Sequence, residues 1–286
     1  MCYKLLDVVS DKILDKVEMK TIWTLIENTI TAIICYGLES FNLLRKDYNK
    51  LTVIHLNAIK TILNIPKNSP TAIIYSDTQI PAIEHTLKKR RILYYKNLMT
   101  YEERPYTITA MNENDLWLKN VKEDLKTYDL NEEMIENESK DMIKKKINKK
   151  IEEIMTNSIR EEGTKKGKVQ RYIEKCETNE EEIYKKKNYL LNLPKYEARN
   201  IFMGRSGQFP CKDNNQWDNA DSLYCRWCLN RVETEHHILN KCRKCPISNR
   251  PINTSFFGQR SMADWHELSN LFMTYTNILT KRNEKR

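Results

Sequence analysis

The chain has 286 residues, a formal net charge of +9 and a pI near 9.0, with 40% hydrophobic and 30% charged residues. Six glycines and eight prolines are too few for an all-β architecture that turns every ~8–12 residues, and no run of 18 or more apolar residues offers a membrane-spanning helix. The composition therefore predicts a mainly α-helical, soluble, intracellular protein, long enough for more than one core and basic enough for an anionic partner such as nucleic acid.

Over residues 19–36, Ile22, Trp23, Ile26, Ile30, Ile33 and Ile34 recur at helical spacing, and Gly37 ends the pattern. A second helix is predicted from about Lys46 to Asn64, with Leu51, Ile54, Ile59, Ile62 and Leu63 inward and Pro66 beyond its end. Ser69 suits an N-cap with Pro70 at the first helical position, and Pro81 opens the next helix in the same way. That helix carries Leu87, Ile92, Leu93, Tyr94 and Leu98 beside Lys88, Lys89, Arg90 and Arg91.

From Asn112 to about Lys187 the composition shifts to Lys, Glu and Asn. Ile143, Ile147, Ile151 and Ile154 form a narrow stripe on an otherwise charged helix, which reads as a long arm packed on another helix. The stretch EEGTKKGK at 161–168 is the best hinge candidate. A helical stretch around Tyr184 to Leu193, a Pro194-initiated helix to Met203 and a loop, GRSGQFP, follow. The tail from Ser261 to Leu279, with Trp265, Leu268, Leu271, Phe272 and Ile278, predicts a final amphipathic helix. Three regions result: 1–110 multi-helical, 111–187 a charged helical arm, and 188–286 a cysteine-rich region with a C-terminal helix.

The stretch CRWCLNRVETEHHILNKCRKC, residues 225–245, holds half of the eight cysteines and two of the five histidines. In a reducing compartment such clustering favours a metal over disulfides. Cys225 and Cys228 are spaced so that one tight turn aims both thiolates at a tetrahedral ion. Two four-ligand sets are then available: Cys225, Cys228, His237 and Cys242, or Cys225, Cys228, Cys242 and Cys245. His237 and Cys242 are five residues apart, about 140° around an ideal helix, so a helix joining them must end between them. With four protein ligands the expected cofactor, Zn2+, is structural.

The segment CRWCLNRVETEHHILNKC resembles the zinc knuckle near the C-terminus of non-LTR (LINE-like) retrotransposon reverse transcriptases. The shared pattern is a Cys pair, Glu-Thr-x-x-His, aliphatic residues and Cys, matched by Glu233, Thr234, His237, Ile238, Leu239 and Cys242. The resemblance implies that His237 is the fourth ligand and leaves Cys245 over. Upstream, IICYGLESFNLLRKDYNKLTVIHLNAIKTILNIP is similar to the stretch that follows the polymerase palm in these elements. Tyr36, Gly37, Glu39 and Phe41 occupy its motif, Phe41 where tryptophan is commoner, and the likeness continues over Pro70 to Met99. The matches cover roughly residues 20–100 and 190–245.

By that resemblance the first region is thumb-like, with the palm preceding residue 1. Element RNA, target DNA and the polymerase core of the same element become the expected partners, and the nucleus the expected compartment. The departure is chemical: the two-metal aromatic-x-Asp-Asp motif of the family is missing, and no Asp-Asp pair occurs in the sequence. No catalytic residue is expected in this chain.

Candidate nucleic-acid contacts are Lys88, Lys89, Arg90 and Arg91 on the thumb-like helix. Around the knuckle they are Arg226, Arg231, Lys241, Arg243 and Lys244, with Trp227 between the first two ligands. Lys144, Lys145, Lys146, Lys149 and Lys150 read instead as a solvated face, since Glu152 and Glu153 follow at once. His55, His85 and His266 lack nearby ligand partners and are expected to be structural. Two other functions compete: a zinc-stabilised protein-interaction module, and the downstream part of an active reverse transcriptase.

Overall fold

The first apolar stripe folds as an almost continuous rod: α1 (Met19–Leu25), a π-helical turn (Ile26–Ile30) and α2 (Thr31–Cys35). The Thr31 hydroxyl donates to the Ile26 carbonyl five residues back (2.9 Å) at the wide turn, and Gly37, with φ +71°, ends the rod. The computed structural model describes residues 18–100, 116–213, 223–247, 255–258 and 260–283. Among these the chain is mainly helical, with two isolated bridges in place of strands. Residues 112–115, where the charged stretch begins, lie outside the described residues, as do 1–17 and 101–110 of the first region.

α3 (Arg45–Ile62) follows as predicted, with Ile59 and Ile62 buried, but Ile54 is 41% exposed, on the solvent side of the stripe. α4 (Thr71–Thr78) starts one residue late, with Pro70 rather than Ser69 as its N-cap. α5 (Ile83–Thr100) begins two residues after Pro81 and packs on α3 and on α6 (Leu116–Thr127). After the short α7 (Glu132–Asn137), the charged stretch forms α8 (Lys140–Lys165), capped by the Ser139 hydroxyl.

Ile143, Ile147 and Ile151 of α8 are buried, Met155 and Ile159 extend their stripe, and Ile154 is half-buried beside it. They pack on α4 and α5. The expected hinge is a closed corner: Lys166 alone separates α8 from α9 (Gly167–Thr178). The two helices lie antiparallel, Arg160 pairs with Glu177 (3.4 Å), and Ile173 sits where Gly163 has no side chain.

Only α10 (Tyr189–Asn192) of the predicted 184–193 helix forms. Upstream of it, the Ile183 carbonyl accepts from the Ser76 hydroxyl and the Lys187 N–H donates to the Asp77 carbonyl (3.0 Å), so backbone groups a helix would use are bonded to α4 instead. α11 (Lys195–Arg205) and α12 (Met262–Asn283) pack together. One contiguous core runs through Ile22, Ile73, Ile147, Ile201, Cys225 and Phe272, with a small satellite of Cys35, Tyr48, Ile83 and Leu87. The plural cores expected from length are not seen among the described residues, because the inner face of α8 joins the regions on either side of it.

Crossing that core is a buried ionic knot. Arg205 holds the Asp77 carboxylate with two parallel bonds (2.9 and 3.1 Å) and reaches Glu181 (2.7 Å) and the Phe256 carbonyl (2.8 Å). Tyr189 and Tyr172 also donate to Asp77. Burial holds both phenols well above their ordinary pKa, so they stay protonated donors.

A candidate metal centre and its cationic rim

The knuckle is built on a hairpin. The Cys225 N–H donates to the Arg231 carbonyl (2.7 Å) and the Glu233 N–H to the Leu223 carbonyl (2.9 Å), which leaves Tyr224 and Val232 as the directly opposed pair between them. Inside the turn the Leu229 N–H closes on the Cys225 carbonyl (2.9 Å). The Trp227 N–H points at the Cys225 sulfur (3.5 Å). Such a turn requires a left-handed residue just after its second cysteine, and Leu229 takes it with φ +60°.

The opposite wall explains the Glu-Thr-x-x-His pattern. Glu233 is fully buried and accepts from the Arg226 N–H (2.8 Å) and guanidinium (2.7 Å) and from the Lys212 N–H (3.2 Å), which ties the turn to the preceding loop. The Thr234 hydroxyl caps the next turn by accepting from the His237 N–H (3.0 Å). From His237 to Lys241 the helix widens to π geometry, closed by the Cys242 N–H on the His237 carbonyl (2.7 Å), and Cys242 then leaves in an extended conformation. The helix thus ends between the two ligands, as their spacing required. The wider turn draws His237 and Cys242 toward one side.

The ligand atoms of Cys225, Cys228, His237 and Cys242 all lie within 4.8 Å of one another. The Cys225 and Cys242 sulfurs are 3.7 Å apart, close to the ~3.8 Å edge of a tetrahedron with metal–sulfur bonds of about 2.3 Å. Cys228 Sγ and His237 Nε2 are 3.2 Å apart. The backbone N–H of Asn230, together with His237, pulls the Cys228 thiol down to about 6, whereas burial pushes Cys225 up to about 11. A cation that drew all three thiolates together would supply the charge this buried cluster lacks. Cys245 stands outside the four, buried with its thiol pushed up to about 11 by desolvation. His237 Nδ1 is buried with no hydrogen-bond partner among the described residues, and the backbone turn is what orients the ring there.

The predicted contact residues divide. Arg231, Lys241, Arg243 and Lys244 are exposed around the cluster, with no ion-pair partner among the described residues. Arg226 is committed to Glu233. Trp227 is half-buried: its indole N–H meets the Tyr275 hydroxyl (3.5 Å) and the Arg282 guanidinium caps its ring at 4.9 Å, so it fastens the knuckle to α12 instead of offering a free stacking face.

On α5 the basic turn serves the fold. Arg91 is 2% exposed and bonded to Asp124 (3.0 Å) and the Tyr48 hydroxyl (2.9 Å), which removes it from any phosphate. Lys88 pairs with Glu84 (3.0 Å), Lys89 donates to Asn148 (2.7 Å) and Arg90 faces Glu39 (3.8 Å). His55 meets Thr31, His85 meets Tyr128 and His266 meets Glu197, all structural pairings.

Sequence reasoning did not find the Asp77–Arg205–Glu181 knot. Its members are 128 and 24 residues apart, and no local spacing marks them. No helix of the described residues is long and apolar enough to cross a membrane. Compared with protein-family models, with curated proteins and with solved structures, the chain finds no match.

Proposed function

We propose that this chain is a nucleic-acid-binding segment organised by a structural Zn2+ ion and related to the C-terminal part of non-LTR retrotransposon reverse transcriptases. It would act on element RNA or target DNA in the nucleus, beside a polymerase core supplied by the same element. The observation that carries the reading is a Cys-Cys-His-Cys group whose ligand atoms lie within 4.8 Å of one another, with four nearby cations in the chain that are exposed and have no ion-pair partner among the described residues. Four protein ligands leave no open position, so the ion would contribute folding free energy and hold the rim in place. No reaction is assigned to these residues.

The test is metal analysis together with salt-dependent binding. Purified chain should hold one zinc per molecule and bind a fluorescent RNA hairpin or DNA duplex at low salt. Four phosphate contacts predict a slope of log affinity against log salt of about −3 to −4. Replacing Arg231, Lys241, Arg243 and Lys244 by Gln should flatten it. Metal-free folded protein, or binding indifferent to these four residues, would overturn the proposal.

A second reading draws on a different surface. Tyr36 is 84% exposed and Phe41 60%, with Ile33 and Leu44 also exposed around the turn that ends α2. Such a patch suits a protein partner, and a zinc-stabilised interaction module would show little salt-dependent affinity for nucleic acid.

A further inference from the structure

Between α5 and α8 lies an open cleft of about 460 Å³, within the size range of small-molecule sites. Two side-chain bonds mark its ends. Lys89 of α5 donates to Asn148 of α8 (2.7 Å), and Gln79, just after α4, donates to Glu152 (3.4 Å), one turn further along α8. Pro81, Leu93 and Ile151 give the lining its apolar part together with Tyr184, whose hydroxyl is already donated to the Gln79 carbonyl (3.1 Å). One end of the cleft is therefore cationic and the other carries a carboxylate.

The protein does not settle the charge at the cationic end by itself. Lys89 has no carboxylate within ion-pair distance among the described residues, and its bond to Asn148 uses one of three ammonium protons. Burial, and then the nearby Lys144 charge, push its pKa below the ordinary value. Arg90 approaches Glu39 only at 3.8 Å, and Thr86 brings a hydroxyl to the same lining.

We propose that this cleft binds a small phosphomonoester with an uncharged apolar body, its phosphate held by Lys89, Arg90 and the Thr86 hydroxyl and its body lying along Leu93, Pro81 and Ile151. A phosphate dianion supplies the negative charge that Lys89 and Lys144 lack between them, and so offsets both their repulsion and the desolvation of the ammonium. Glu152 sets the opposite limit, because a carboxylate at the far end repels a second anionic group. Bisphosphates and polynucleotides are disfavoured on that ground, which separates the cleft from the cations around the knuckle, with which it shares no residue.

Isothermal titration calorimetry of the full zinc-loaded chain at neutral pH would compare phenyl phosphate, inorganic phosphate and phenol. Phenyl phosphate should bind at one site, more tightly than inorganic phosphate, and phenol should give no signal. Lys89→Gln should weaken phenyl phosphate about tenfold or more. Leu93→Ala should weaken it about threefold or more and leave inorganic phosphate unchanged. Lys145→Gln, on the exposed side of α8, should change neither. Phenyl phosphate should also raise the melting temperature of the unaltered chain but not that of Lys89→Gln.

Equal affinity in Lys89→Gln and the unaltered chain, or phenyl phosphate binding no more tightly than inorganic phosphate, would overturn the proposal. So would a Lys89→Gln variant that loses affinity for an RNA hairpin while the unaltered chain ignores phenyl phosphate, since these cations would then serve nucleic acid. Zinc content and the salt slope set by Arg231, Lys241, Arg243 and Lys244 should be the same in Lys89→Gln as in the unaltered chain, so the two sites are tested separately.

Discussion

His237 and Cys245 show how much one residue decides. Both were available as the fourth ligand, and both are buried, but the Thr234 cap and the π turn bring only His237 among the Cys225, Cys228 and Cys242 sulfurs. His237→Ala should therefore abolish stoichiometric zinc, read by metal analysis and a chromophoric chelator, whereas Cys245→Ala should retain one zinc per chain with only the cost of a small cavity, about 1 kcal/mol. The reverse result would establish the four-cysteine ribbon. The Cys pair and the Glu-Thr-x-x-His pattern were legible because each residue acts within a few positions of its partner. Spacing alone left the fourth ligand open, since it depends on whether the intervening turn is α or π, and only the family resemblance pointed to His237.

At the scale of elements, the packing of α11 on α12 is sensitive to side-chain volume. A Cβ on Gly204 would lie 2.5 Å from ring atoms of Phe256, and that ring is fully buried against Phe209 and Phe272. The Gly204→Ala variant should lose about 1–3 kcal/mol by overpacking, seen as a melting temperature lower by several degrees. An unchanged melting temperature would mean that the 255–258 segment gives way freely. The helices themselves were readable from apolar periodicity, and their starts fell within one or two residues of the proline signals. The 184–188 stretch was misjudged because its backbone bonds go to α4, more than a hundred residues earlier.

Across the whole molecule, the Asp77–Arg205–Glu181 knot joins α4, α11 and the segment before α10. Burial alone would raise the Glu181 carboxyl, but Arg205, Lys187 and the Gly258 N–H outweigh it and hold it down to about 2. With the folded value below the ordinary 4.5, this carboxylate contributes stability that is complete above about pH 4.5 and is lost as pH falls toward 2. Glu181→Gln should cost about 3 kcal/mol at neutral pH, because Arg205 keeps a buried charge with one partner fewer. It should also flatten the dependence of unfolding free energy on pH between about 4.5 and 2, measured by denaturant titration at several pH values. A variant as acid-sensitive as the unaltered chain would place the titrating group elsewhere.

Local order in the chain settled the helical class, the cation excess and a thiol–imidazole cluster suited to a metal, since each of these arises from residues near one another in sequence. Which cations face solvent was decided only on folding: Arg91 and Arg226 found buried carboxylates, while Arg231, Lys241, Arg243 and Lys244 are exposed with no carboxylate partner among the described residues. The same holds for the arm that became core and for the buried knot. A charge or an apolar stripe shows its chemistry in the sequence, but its partner comes from a distant segment, and only the packed chain brings the two together.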